Sequence, residues 1–296
     1  MQMVYVSDGK AGHRSQALGL YQAMHRQVNT GLHFTECPLE ELNLCSLFTA
    51  LITKKPTALH QAPDYIIGVG SHTQLRVLLL GKIYPQAKTI ILMKPNYPMH
   101  WFDYVVLPEH DGVQASDRII VTQGAINPIV NEQRHQANRI LVALGGSSKR
   151  HQWNAEKVLA AIEQIVIQNA TAEIVLTTSR RTPIEFLTTL SKHSFSKGLQ
   201  VFPVEDTPQG WIFEQMQLAE AVWVTEDSVS MIYEALTAGC RVGVIEMERI
   251  NQDRITRSVD QLLHCQRVSI QLQLKHLPFA NALNESQRVA KFILNT

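Results

Sequence analysis

The sequence predicts an α/β fold built from two parallel-sheet units, and three observations predict it. Short apolar runs alternate with amphipathic stretches from one end to the other, the pattern of parallel strands joined by crossover helices. That alternation stops in the polar stretch Asn131–Asn138 and then restarts. The length, 296 residues, is about twice the roughly 150 residues of a common domain.

In the first unit, strands are expected at Met3–Ser7, Leu32–Glu36, Tyr65–Val69, Thr89–Met93, Tyr104–Leu107 and Ile119–Val121. These runs are apolar enough for a sheet covered on both faces. Helices are expected near Arg14–Val28 and Thr73–Lys82. The second unit reads as strands Arg139–Leu144, Glu173–Thr177, Leu199–Phe202, Ala221–Thr225 and Val242–Glu246. Its helices fall near Asn154–Ile167, Pro183–Ser191, Val229–Ala238 and Gln252–His264. Thr182, Pro183 and Glu185 supply a capped helix start, and Ser228 or Asp227 with Gly239 bracket the helix after the fourth strand. The expected domains are 1–135 and 136–296, with a last helix near Ser286–Leu294 long enough to lie back across the first. A single large sheet is the alternative. No internal repeat and no low-complexity segment interrupts the pattern.

Composition narrows the function classes. Lys plus Arg number 27 against 26 Asp plus Glu, and the two halves are equally balanced, at 11 basic and 10 acidic residues in 1–135 and 16 of each in 136–296. A general nucleic-acid binder needs a basic excess to displace counterions, so no nucleic-acid partner is expected. Cys37, Cys45, Cys240 and Cys265 form no C-x-x-C pair and no zinc spacing, and read as small buried residues of a reducing compartment. No run approaches about 18 apolar residues and no leader precedes Met3-Val4-Tyr5-Val6, so the expected location is the cytoplasm.

Ligands of open parallel sheets gather at the carboxyl ends of the strands, which makes the loops after strands the informative ones. The first is Asp8-Gly9-Lys10-Ala11-Gly12-His13. Its glycines, Gly12 among them, allow close approach of backbone to ligand, and His13 is a natural general base with Asp8 as orienting carboxylate. A tight turn in which His13 caps a helix is the competing reading. Gly68-Val69-Gly70-Ser71-His72 offers Gly70 and Ser71 to an acceptor, against the same tight-turn alternative. Pro108-Glu109-His110-Asp111-Gly112 packs Glu109, His110 and Asp111 into one turn suited to proton handling. For metal it lacks a second ligand cluster, so no metal site is expected.

The fourth loop, Gly145-Gly146-Ser147-Ser148-Lys149-Arg150, combines backbone amides, hydroxyls and cations before a helix, as a diphosphate requires. Arg180, with Arg181 beside it, can clamp phosphate at another strand's end, against the commoner reading of two solvated arginines. In the stretch Thr225-Glu226-Asp227-Ser228-Val229-Ser230-Met231-Ile232-Tyr233-Glu234, Ser230 and Glu234 are four apart and share a helix face. A carboxylate at Glu234 can accept both hydroxyls of a ribose. A solvated surface carboxylate is the alternative there.

Six ordered motifs, DGKAGHRSQALGL, LPEHDGV, TQGAIN, LGGSSKRHQW, TSRRTP and VTEDSVSMIYEAL, resemble the mitochondrial-fission-protein-like family, whose bacterial members are described as glycosyltransferases. They run from residue 7 to about 245. The resemblance implies the GT-B-like fold, two facing Rossmann-like domains with a cleft between them. It also implies a base at His13, diphosphate contacts at Gly145, Gly146 and Ser147, and a ribose contact at Glu234. Ser148, Glu226, Asp227 and Ser228 are further donor-binding candidates from the same loops. Asp-Gly-Lys stands where cell-wall GT-B enzymes carry a run of glycines, and no uracil-recognition motif is evident.

The expected activity is therefore transfer of a sugar from a nucleoside-diphosphate donor to a hydroxyl acceptor, a cell-envelope glycan or glycolipid. No D-x-D motif is present, so the chemistry is expected to be metal-independent and to need no cofactor. Two alternatives stand beside it: a nucleotide-sugar epimerase of the 2-epimerase type, using Glu109, His110, Asp111 and His13 as acid/base groups, and a non-catalytic membrane-associated scaffold. Peripheral contact with the inner membrane fits the aromatic and basic residues at Leu75–Tyr84 and Lys94–Trp101, where a core helix and an ordinary loop are the plainer reading.

Overall fold

A computed structural model describes residues 1–28, 31–53, 59, 61–279 and 282–296. The chain divides into two compact units, Met1–Pro128 with Asn284–Thr296, and Ile129–Leu283.

The first unit holds a six-stranded parallel sheet in the order β2-β1-β3-β4-β5-β6. Its strands are β1 (Gln2–Ser7), β2 (His33–Pro38), β3 (Tyr65–Val69), β4 (Lys88–Leu92), β5 (Tyr104–Pro108) and β6 (Ile119–Thr122). Helices α1 (Ala11–His25), α2 (Leu44–Thr53) and α3 (Gln74–Ile83) connect the first of them. Alternate residues feed two cores: Tyr5, Ile67 and Ile90 join Leu20 and Met24 of α1, while Val4, Ile66 and Ile91 join Leu47 of α2 and Leu80 of α3. Because every strand is parallel, all carboxyl ends share one edge.

The second unit repeats the plan with five parallel strands in the order β10-β9-β7-β11-β12. They are β7 (Gln136–Ala143), β9 (Glu173–Thr177), β10 (Leu199–Phe202), β11 (Ala219–Thr225) and β12 (Arg241–Ile245). A short antiparallel pair, β8 (His151–Gln152) and β13 (Glu248–Arg249), ties the loop after β7 to the segment after β12. The helices are α4 (Ala155–Gln168), α5 (Glu185–Leu190), α6 (Trp211–Leu218), α7 (Val229–Ala238) and α8 (Arg254–His264). α8 begins with a capping box, Asp253 accepting from the amides of Ile255 and Thr256.

Several expectations are corrected. The chain divides at Pro128/Ile129 rather than at residue 135, because Ile129 is buried in the second core and Gln217 bonds both the Val130 carbonyl and the Glu132 amide. Residues 284–296, numbered with the second unit but with a last helix expected to lie back across the first, belong to the first. Helix α9 (Glu285–Asn295) packs Val289, Ala290 and Ile293 into the core that holds Leu20 and Met24, and Ser286 donates to the Asn127 carbonyl. α1 begins at Ala11, so Gly12 and His13 lie in its first turn rather than in the loop. α2 and α6 were not expected. The run LCSLFTALIT of α2 buries Leu47 and Ala50 and exposes Cys45, Thr49 and Thr53, but Phe48 and Ile52 are exposed with them. Cys37 and Cys240 are buried as expected, whereas Cys45 at the start of α2 and Cys265 at the end of α8 are exposed.

Candidate functional site

The loop after β1 builds a buried pair. The Asp8 side chain is only 4% exposed, and both its oxygens lie 3.0 Å from His13 Nδ1. A carboxylate only accepts, so Nδ1 carries the proton and the Nε2 lone pair is left for another group. Lys10 Nζ also reaches Asp8, at 3.0 Å, and the Lys10 amide donates to it at 3.3 Å. Burial pushes the Asp8 carboxyl up, but hydrogen bonds from Lys10 and His13 outweigh it and the net shift is downward. Ser7 Oγ holds the turn by accepting the Gly9 amide and donating to Glu36, which Arg14 pairs at 2.7 Å.

The neighbouring loop after β3 completes this arrangement. Gly70 has φ +75°, and a Cβ there would fall 2.5 Å from His13 Cε1, so the imidazole rests against bare backbone. Gly70 thus earns its place by admitting the ring, while Ser71 is exposed beside it. A Cβ at Gly12 would meet nothing within 4 Å, so the first turn of α1 faces open space. Glu109, His110 and Asp111 form a half-buried 3-10 turn after β5, closed by Gly112 at φ +68°. Three strand spacings separate β1 from β5, roughly 14 Å, so the turn and His13 occupy different parts of the edge. No group of three residues able to hold a metal ion occurs among the described residues.

In the second unit the loops after β7, β9 and β11 are neighbours and lock together. Gly145 N–H donates to Thr225 Oγ1 at 2.6 Å, and Gly146 N–H to Asp227 Oδ2 at 3.0 Å. Asp227, whose side chain is 0% exposed, also takes Arg181 Nη1 at 2.7 Å and the Ser228 hydroxyl at 3.1 Å. Arg181 in turn donates to the Gly146 and Ser147 carbonyls. Ser147 Oγ accepts the Trp153 amide, and Ser148 Oγ accepts the amides of Arg150 and His151. Glu226 is buried under Arg249 and the Met247 amide.

This bears on the expected phosphate cradle. The amides of Gly145 and Gly146 are engaged within the protein, the latter by an internal carboxylate, whereas the Ser147 and Ser148 hydroxyls accept backbone amides and keep an O–H to donate. The arginine that enters the loop is Arg181. Arg180, one residue away, instead lines a cavity of about 510 Å³ at the carboxyl ends of β9 and β10. Adjacent arginines at a strand's end point different ways, and sequence alone does not choose between them.

Two expected donor residues stay open. Ser230 is exposed in the first turn of α7, and Ser228 makes no side-chain cap, so the first amides of that helix carry no capping bond. Glu234, one turn on, has neither hydrogen bond nor ion pair among the described residues, and burial pushes its carboxyl up to about 7. A carboxyl shifted by desolvation with no partner to offset it is a candidate ligand contact. Arg181 and Thr225 lie inside quoted motifs, yet their contacts with the Gly145-Gly146 turn were not foreseen, and the cavity wall at Glu205 and Trp211 was missed because neither residue belongs to a motif.

Comparison with known proteins agrees with this architecture over its whole length. MurG of Acinetobacter baumannii has TM-score 0.58 at 14% identity, covering 100% of this chain and 99% of its own. The UDP-GlcNAc 2-epimerase of Methanocaldococcus jannaschii has TM-score 0.55 at 12% identity, covering 100% of both chains. Likeness at these identities is one of fold, and two Rossmann-like parallel sheets of this kind define the GT-B class. Within that class, the family model described as mitochondrial fission ELM1 matches residues 11–296, and the chain belongs to that family. An uncharacterized protein of Rickettsia prowazekii (strain Madrid E), RP120, is 22% identical over 99% of this chain and 98% of its own length. No helix among the described residues is long and apolar enough to cross a membrane.

Proposed function

We propose that the protein transfers a sugar from a nucleoside-diphosphate sugar to the hydroxyl of a glycan or glycolipid acceptor. The observation that carries this reading is the Asp8–His13 pair, a buried carboxylate fixing one ring nitrogen and leaving the other as a base. His13 Nε2 takes the acceptor's hydroxyl proton as that oxygen bonds to the anomeric carbon, and the bond to the diphosphate breaks with its electron pair going to the leaving group. Asp8 stabilises the imidazolium that results.

The donor belongs to the second unit. The uncapped amides of α7, with Ser230, suit a diphosphate, and Glu234 suits the ribose hydroxyls. The named epimerase acts on a nucleotide sugar, which supports a nucleotide sugar here. Incubation with a panel of nucleotide sugars and a hydroxyl acceptor tests the reading through release of nucleoside diphosphate. Release should require the acceptor and fall on the order of 10²–10⁴-fold in His13→Ala. Undiminished release by that variant would remove the base assignment.

Epimerisation is the second reading, favoured by the full-length likeness to a 2-epimerase. It requires acid/base groups on both faces of the sugar, and the distance along the edge between His13 and the Glu109–Asp111 turn argues against it. A new epimer formed without acceptor would reverse this ranking.

A further inference from the structure

The cavity beside Arg180 was assigned no role by the motifs. It is about 510 Å³, within the range of small-molecule sites. Trp211, Ile212 and Met231 give it an apolar side, while Arg180 and Glu205 stand in the same wall. Neither of these two charged groups makes a hydrogen bond or ion pair among the described residues, so opposite charges flank one cavity without contacting each other.

The Val204 backbone in that wall is already satisfied. Val204 N–H donates to Thr178 Oγ1 at 3.0 Å, and the Val204 carbonyl accepts both the Thr207 amide and the Thr207 hydroxyl. The charged groups that can discriminate in that wall are Arg180 and Glu205. A fitting ligand has a flat apolar face, two adjacent donors for a carboxylate and two adjacent acceptors for a guanidinium.

We infer that this cavity takes the base of the donor nucleotide, and that Arg180 and Glu205 select guanine. This inference rests on the donor reading above. Guanine presents N1–H and the 2-amino group side by side to a carboxylate, and O6 with N7 to an arginine. Uracil has a single N–H between two carbonyls, so a carboxylate facing it also meets a carbonyl oxygen. Adenine sets its amine beside a ring nitrogen lone pair, with the same conflict. The indole and thioether offer the ring a stacking surface.

Calorimetric titration of the whole protein with GDP, IDP, UDP and ADP tests this. GDP should bind about tenfold or more tightly than UDP or ADP, since a hydrogen bond to a charged group is worth about that factor. IDP lacks the 2-amino group and should fall between. Glu205→Gln should weaken GDP about tenfold, abolish the preference for GDP over IDP and leave UDP unchanged. Arg180→Met should weaken GDP and IDP alike. Both side chains are exposed and unpartnered, and unchanged melting temperatures will verify folding. UDP or ADP binding as tightly as GDP to the natural protein would overturn the base assignment while leaving the donor reading intact. A GDP-to-IDP ratio unaffected by Glu205→Gln would overturn it as well. No heat with any of the four at millimolar concentration would remove both.

Discussion

The turn after β1 and the turn after β7 follow equivalent strands and are both rich in glycine, yet they are put to opposite uses. After β1, Asp8 engages a titratable imidazole and leaves one ring nitrogen and the space around Gly12 open. After β7, a carboxylate from the adjacent loop closes on Gly146 and Arg181, and the turn is neutralised from within. A glycine-rich turn is therefore not a ligand site by virtue of its glycines. What the next loop along the edge brings to it decides. Two carboxyls carry the same contrast: Asp8 is held below its ordinary value by donors, while Glu234 is driven up by burial with no donor to offset it. Environments that push two acids apart are how one protein divides chemical roles between them.

The contrast breaks most sharply at the β1 turn. Asp8→Asn keeps the shape but removes the charge that stabilises the imidazolium, and should lower acceptor-dependent turnover on the order of 10²-fold or more, read in initial rates. Equal rates would mean that the pair is structural.

Glu234→Gln gives the next largest effect, through pH. The folded carboxyl at about 7 lies above the ordinary value of 4.5. Unfolded chains therefore ionise first as pH rises, and stability that is full below 4.5 is lost progressively up to about 7. The Gln variant does not ionise, so it should be more stable than the natural protein by up to about 3 kcal/mol at pH 8 and equal at pH 4. Denaturant titrations at the two pH values will read this difference.

Glycine-to-alanine changes sharpen the comparison directly. A Cβ at Gly146 would fall 2.0 Å from the Arg181 carbonyl oxygen, a backbone atom with no freedom to retreat. Gly146→Ala should destabilise by about 3 kcal/mol. Arg181→Met, which leaves buried Asp227 without its cation, should cost about 2 kcal/mol, less than a fully buried pair because Arg181 is partly solvated. Gly12→Ala has open space and a helical position, so it should gain roughly 0.5 kcal/mol. Melting temperatures of the three variants should rank in that order.

Much of the fold was legible because parallel strands covered on both faces are short, dense apolar runs. β3, β9, β10 and α7 fall where the alternation places them. α2 escaped because Phe48 and Ile52 on its exposed side blur the polar stripe of Cys45, Thr49 and Thr53. The boundary shifted because Ile129 and Val130 precede the polar stretch that reads as the break, while Ile129 is buried in the second core and Gln217 holds Val130 and Glu132. The site was legible to the extent that it is local. Asp8 and His13 are five residues apart and could be paired on paper. The lock on Gly146 joins residues 81 positions apart, and no spacing rule reports it. Glu205 and Trp211 sit in ordinary-looking sequence and acquire meaning only from the cavity they border.

The return of α9 to the first unit has a bearing on biosynthesis. A ribosome delivers the whole of Ile129–Leu283 before the segment that covers Leu20, Ala23 and Met24 emerges. The later-made unit can thus mature while the earlier one still shows an oily flank, a window in which nascent chains favour aggregation and a holding chaperone has something to grip.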